Sequence, residues 1–144
     1  MLTRVETLWP LPDEAATEAL ARHVAPLLRR GDVVALVGEL GAGKTTFARA
    51  LLGVLGVHEL VPSPTFTLVQ RYVTSAFPVC HVDLYRLKSP EELDELGLEE
   101  ALSEGALLVE WPERAGDRLP CPRMELRFLL SPTGVRTATR IEGP

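Results

Sequence analysis

The sequence predicts a three-layer α/β fold with a mixed central sheet and a C-terminal β-hairpin. Residues 32–37 form a continuous apolar run, followed by a glycine-rich turn and then by helical spacing. That order reads as a strand covered on both faces, a loop and a helix. A second apolar run, Ala106–Glu110, ends on a carboxylate. Alternating residues 124–130 and 135–141 flank Ser131-Pro132-Thr133-Gly134, which reads as a hairpin.

The remaining elements follow in chain order. Residues 4–8 alternate and read as a short strand. Ala16, Leu20, Val24, Leu27 and Leu28 keep helical spacing over residues 13–28, and Gly31 ends that helix. Residues 45–55 place Phe47, Ala48, Leu51, Leu52 and Leu55 on one helical side. Residues 61–66 are a loop, because Pro62 and Pro64 exclude helix and inner strand. Residues 67–73 and 77–84 read as strands joined by only Thr74, Ser75 and Ala76, so they pair antiparallel. Ser89-Pro90-Glu91-Glu92 has the cap, the proline and the first-turn acids of a helix start.

A chain of 144 residues is expected to form one domain, residues 1–144. Its 46% hydrophobic and 24% charged content is that of a folded globular chain. Acidic residues number 20 against 15 basic ones, and the resulting charge of −5 argues against a free-standing nucleic-acid binder. Cys80 and Cys121 form no zinc-type spacing and read as free thiols in a reducing compartment. Charges at Arg4 and Glu6 argue against a signal peptide, and residues 33–37 are too few to span a bilayer. A cytoplasmic protein without a membrane partner is therefore expected. Asn is absent and Gln70 is the only glutamine, which fits growth at high temperature and a GC-rich genome alike. Lys44 and Lys88 are the only lysines, which gives the position of Lys44 weight.

Gly38-Glu39-Leu40-Gly41-Ala42-Gly43-Lys44-Thr45 matches G-x-x-x-x-G-K-[ST], with a strand before it and a helix after it. The expected fold is therefore P-loop NTPase-like. Glycines let backbone N–H groups converge on phosphates, and the helix start adds its positive end. Residues Glu39 to Thr46 would line the phosphates, Lys44 would neutralise the β- and γ-phosphates, and Thr45 would place its hydroxyl on Mg²⁺. Glu110 and Asp83 are strand-end acids suited to one metal ligand and one water-orienting group. Residue chemistry alone does not rank them.

Four blocks then occur in order: residues 38–47, Ser63-Pro64-Thr65-Phe66, His81-Val82-Asp83-Leu84-Tyr85-Arg86-Leu87 and Val109-Glu110-Trp111-Pro112. In these the chain closely resembles the TsaE (YjeE) family, bacterial ATPases needed for threonylcarbamoyladenosine in tRNA. The resemblance spans nearly the whole chain and is weakest in the C-terminal hairpin. It implies ATP and Mg²⁺ as ligands, with Lys44 and Thr45 on phosphates and metal. It implies Glu110 as the second protein ligand of Mg²⁺ and Asp83 as the acid required for hydrolysis. Lys44 and Asp83 would thus carry catalysis, and Trp111 would sit at the nucleotide. Residues 63–66 would sense the γ-phosphate. The implied partners are TsaD and TsaB, with TsaC making the threonylcarbamoyl-adenylate. Hydrolysis, weak without partners, would reset the TsaB–TsaD assembly, and the tRNA would be held by those partners.

Smaller features stand beside this reading. Glu91, Glu92, Asp94, Glu95, Glu99, Glu100 and Glu104 form an acidic stretch, a solvated face or a docking surface for a basic partner. Arg136 and Arg140 share one side of the last strand, with Arg127 on its neighbour, for solubility or for a phosphate or tRNA contact. His81 alternates with Asp83 and shares its face, as a hydrogen-bonded structural residue or as one with a direct part in catalysis, while Cys80 faces the opposite way. Arg86 fits either a charge stabiliser for the leaving phosphate or an ion pair to the acidic stretch. Two other functions compete: a free-standing small-molecule kinase and a nucleotide-controlled binding switch. No long Arg-rich lid follows the glycine loop, which counts against the kinase. No base-reading motif occurs, so ATP rests on the resemblance.

Overall fold

Strand β2 (Val33–Val37) takes the centre of the sheet because its residues are apolar on both faces. The computed structural model describes residues 5–58 and 69–142. The loop at residues 63–66 and the start of the strand expected at residue 67 lie outside these. Within them the other strands are β1 (Val5–Pro10), β3 (Val69–Tyr72), β4 (Val79–Asp83), β5 (Ala106–Glu110), β6 (Met124–Leu130) and β7 (Arg136–Glu142). They form one sheet in the order β1-β7-β6-β2-β5-β4-β3. The inner strands β6, β2, β5 and β4 run parallel, while β1–β7, β7–β6 and β4–β3 are antiparallel. The sheet is mixed, as expected, and β6–β7 is the expected hairpin.

Alternation along the strands divides the core into two. Helices α1 (Glu14–Val24) and α2 (Lys44–Val54) bury Leu20, Val24, Phe47, Leu51 and Leu52 against Val34, Leu36, Leu108, Leu126 and Phe128. On the other face Leu93, α3 (Leu98–Glu104) and Ala115 cover Val33, Val82, Leu107 and Val109. Each fully buried leucine contributes roughly 1.5–3 kcal/mol, which makes this three-layer arrangement the stable one for strands apolar on both sides.

Two of the expected helices differ in the structure. Helix α1 ends at Val24, not near residue 28, and residues Ala25–Leu27 form one 3-10 turn. Pro26 is the cause: it has no N–H to donate, and its ring would meet the carbonyl of Arg22 in a continued α-helix. The helix expected after Ser89 starts there but is a 3-10 helix, Pro90–Glu95. Proline opens this short segment and Gly97, at φ +68°, closes it before α3 begins, and so short a stretch suits the tighter helix.

Candidate active site

Three parallel strands end side by side, and the candidate site residues sit at those ends. The register sets Leu36 of β2 opposite Glu110 of β5, and Glu110 opposite Asp83 of β4. The glycine loop leaves β2 directly at Gly38 and enters α2 at Lys44. Gly43 caps α2 in a left-handed conformation at φ +113°, and its carbonyl accepts the Phe47 N–H at 3.0 Å. This is the carboxyl edge of the sheet, where open α/β folds bind ligands.

Lys44 is only 4% exposed. Its Nζ donates to the Gly38 carbonyl at 2.5 Å and lies 3.7 Å from the centre of the Trp111 ring. Burial lowers its pKa, opposed by the nearby carboxylates Glu110, Asp83, Glu113 and Glu39. Thr45, the next residue, donates its hydroxyl to both oxygens of Glu110 at 3.2 Å. His81 Nε2 lies 2.6 Å from Glu110 Oε2, with both side chains buried. Asp83 accepts the Tyr85 N–H at 2.9 Å. Burial raises its pKa, the Tyr85 N–H opposes that rise, and the Glu110 carboxylate adds to it. Trp111 adopts a left-handed backbone at φ 58° and packs on Tyr85 with ring centres 5.0 Å apart.

A cleft of about 370 Å³ opens over the loop, lined by Leu40 through Thr46 and Glu110. Glu39 is exposed at the loop's start, outside that lining, and its carbonyl accepts the Ala42 N–H at 3.1 Å. Asp83 and Trp111 also lie outside the lining, beside it through Glu110 and Lys44. The far wall comes from Leu11 to Glu14, Thr17 and Arg136. Sequence reading missed the stretch at Leu11 because Asp13 gives only a helix-cap signal, and it does cap α1, accepting the Ala16 N–H at 2.9 Å. Arg136 was visible only as a basic residue on the last strand; it reaches the Gly41 carbonyl at 3.4 Å. Arg127 pairs across with Thr139 and therefore points away from the side shared by Arg136 and Arg140. Arg86 is exposed and forms no ion pair with the acidic stretch among the described residues.

The oxygen donors Thr45 and Glu110 suit a hard cation such as Mg²⁺, which takes few protein ligands and completes its shell with phosphate and water. Among the described residues no group of three or more His, Cys, Asp or Glu could hold a metal by itself.

A glycine loop between a central parallel strand and a helix, with carboxylates on the neighbouring strand ends, defines a P-loop NTPase-like α/β protein. The chain belongs to the TsaE family: the family model described as "Threonylcarbamoyl adenosine biosynthesis protein TsaE" matches residues 11–138. Proteins named tRNA threonylcarbamoyladenosine biosynthesis protein TsaE are similar to it. That of Rickettsia felis is 47% identical over 82% of this chain and 70% of the relative. That of Bacillus subtilis is 38% identical over 82% and 74%. The crystal structure of Bacillus subtilis YdiB superposes with a TM-score of 0.81 at 30% identity, covering 100% of this chain and 88% of that one. No helix among the described residues is long and apolar enough to cross a membrane.

Proposed function

We propose that this chain is a Mg²⁺-dependent ATP hydrolase serving the threonylcarbamoyl modification of the tRNA adenosine beside the anticodon, acting in the cytoplasm with the TsaB–TsaD transferase assembly. The observation that carries the hydrolase reading is the convergence of Lys44, Thr45 and Glu110 at the base of one cleft, with Asp83 beside them. The pathway rests on family membership and on the names of the relatives.

In this reading the backbone of residues 39–46 and the start of α2 bind the phosphates. Lys44 leaves the Gly38 carbonyl for the β- and γ-phosphate oxygens, a stronger acceptor than a neutral carbonyl. Thr45 and Glu110 hold the cation, and Mg²⁺ bound there would neutralise charge on the phosphates. Asp83, whose burial favours a carboxyl of raised basicity, orients the attacking water. The far wall at Pro12, Thr17 and Arg136 receives the nucleoside. Trp111, against Lys44, reports occupancy through its fluorescence.

The test is Mg-ATP hydrolysis by the chain alone and with TsaB and TsaD from the same source. Slow turnover alone and strong stimulation by the pair are expected. Appreciable turnover alone without stimulation would replace this reading with a free-standing NTPase or kinase. Glu110→Ala should abolish the metal dependence; unaltered Mg²⁺-dependent turnover in that variant removes Glu110 from the metal site.

A further inference from the structure

We propose that His81 is a positioning residue for the metal-binding carboxylate: its Nε2–H holds Glu110 Oε2, leaving Oε1 with the Thr45 hydroxyl to face the cation. This deepens the proposed function and rests on it.

His81 stands in the middle of β4, on the face turned to α2, with Leu108 opposite it on β5. It is 0% exposed. A polar ring in so buried a strand costs free energy that an apolar side chain would not, and Val79, on the same face of β4, shows that apolar residues pack there. Among the described residues the return on that cost is one polar contact, the 2.6 Å approach of Nε2 to Glu110 Oε2. A carboxylate only accepts, so Nε2 is the nitrogen that carries the proton. Among the described residues Nδ1 is buried with no hydrogen-bond partner, so within them the contact to Glu110 is the polar contact the ring makes.

Glu110 needs such a partner. The terminal torsion of a glutamate is broad, so the carboxylate plane is soft. Thr45 does not fix it, because its hydroxyl lies 3.2 Å from each of the two oxygens and favours neither. His81 touches only one of them. Outer partners of metal-binding carboxylates orient them, and their loss typically weakens metal affinity by about 10- to 100-fold.

Glutamine carries an amide donor at a comparable reach, whereas leucine fills the space without a donor. ADP affinity is measured by calorimetry with and without Mg²⁺ for the wild type, His81→Gln and His81→Leu. The ratio of the two affinities reads the metal site, and the Mg²⁺-free affinity reads the fold and the phosphate loop. His81→Gln should keep the wild-type ratio. His81→Leu should lower it about 10-fold or more, with Mg²⁺-free affinity nearly unchanged. Should the leucine variant not fold, His81→Asn, whose donor ends a bond short, takes its place with the same expectation. An undiminished ratio in the donor-free variant, or a glutamine variant as impaired as the leucine one, overturns the inference. A wild type whose ADP affinity ignores Mg²⁺ overturns the proposed site itself, and is seen before any variant is compared.

Discussion

Lys44 and Asp83 are pushed in opposite directions by the same cause, since burial disfavours the charged form of each. For Asp83 the folded-state pKa is raised, so stability falls as pH rises from the ordinary aspartate pKa to that raised value, and the full penalty stands above it. Below the ordinary aspartate pKa of about 3.9 both folded and unfolded chains are protonated and the penalty is gone. Asp83→Asn keeps an oxygen for the Tyr85 N–H but cannot ionise. The variant should therefore melt higher than wild type at pH 7, and the gap should close as pH falls toward about 3.9. Thermal unfolding across that range checks it; a lower melting temperature at pH 7 would contradict the burial argument. The same variant should lose ATP hydrolysis, so stability and activity move apart. Lys44→Ala should weaken ADP binding by about 10- to 100-fold, the loss of charge-assisted hydrogen bonds of roughly 1.5–3 kcal/mol, measured by calorimetry. Wild-type affinity in that variant would leave Lys44 as a packing residue on Trp111.

At the scale of elements, the glycine loop does two jobs that its motif alone does not separate. A Cβ on Gly38 would lie 2.5 Å from the Phe128 carbonyl oxygen of β6, at φ +152°. A Cβ on Gly41, at φ +79°, would meet nothing within 4 Å. Gly38→Ala should thus destabilise the chain by about 3 kcal/mol or more, because neither backbone yields easily. Gly41→Ala should cost only the left-handed strain of roughly 1–2 kcal/mol. Urea unfolding of the two variants separates them, and equal losses would refute the close approach to β6. The motif made the loop, β2 and α2 legible, because glycine spacing and apolar runs act locally. Pro26 shows the opposite case: helical spacing ran on past it, yet a missing N–H ended α1 at Val24. The 3-10 helix at Pro90–Glu95 was legible as a start but not as a type, which depends on where Gly97 interrupts it.

For the whole molecule, the partial legibility of the site has a topological reason. Residue types at strand ends marked Glu110 and Asp83, but their adjacency comes from the order β2-β5-β4, a long-range pairing that no local pattern encodes. The contact from His81 to Glu110 spans 29 residues of sequence and was invisible for the same reason, as was the wall supplied by Leu11 and Arg136. Charge is distributed at this scale too. Arg22, Arg71, Arg118, Arg123, Arg127 and Arg140 each lie beside a carboxylate of this chain, so much of the basic charge is already neutralised within a net charge of −5. Affinity for a polyanion comes mainly from cations that displace its counterions. The chain alone should therefore bind tRNA no more tightly than about 100 µM near physiological salt, at the weak end of non-specific binding. Fluorescence anisotropy with labelled tRNA checks this. Saturation below about 1 µM with a steep salt dependence would mean that the chain grips the tRNA itself, and Arg136 and Arg86, which lack ion pairs to carboxylates among the described residues, would be the first positions to test.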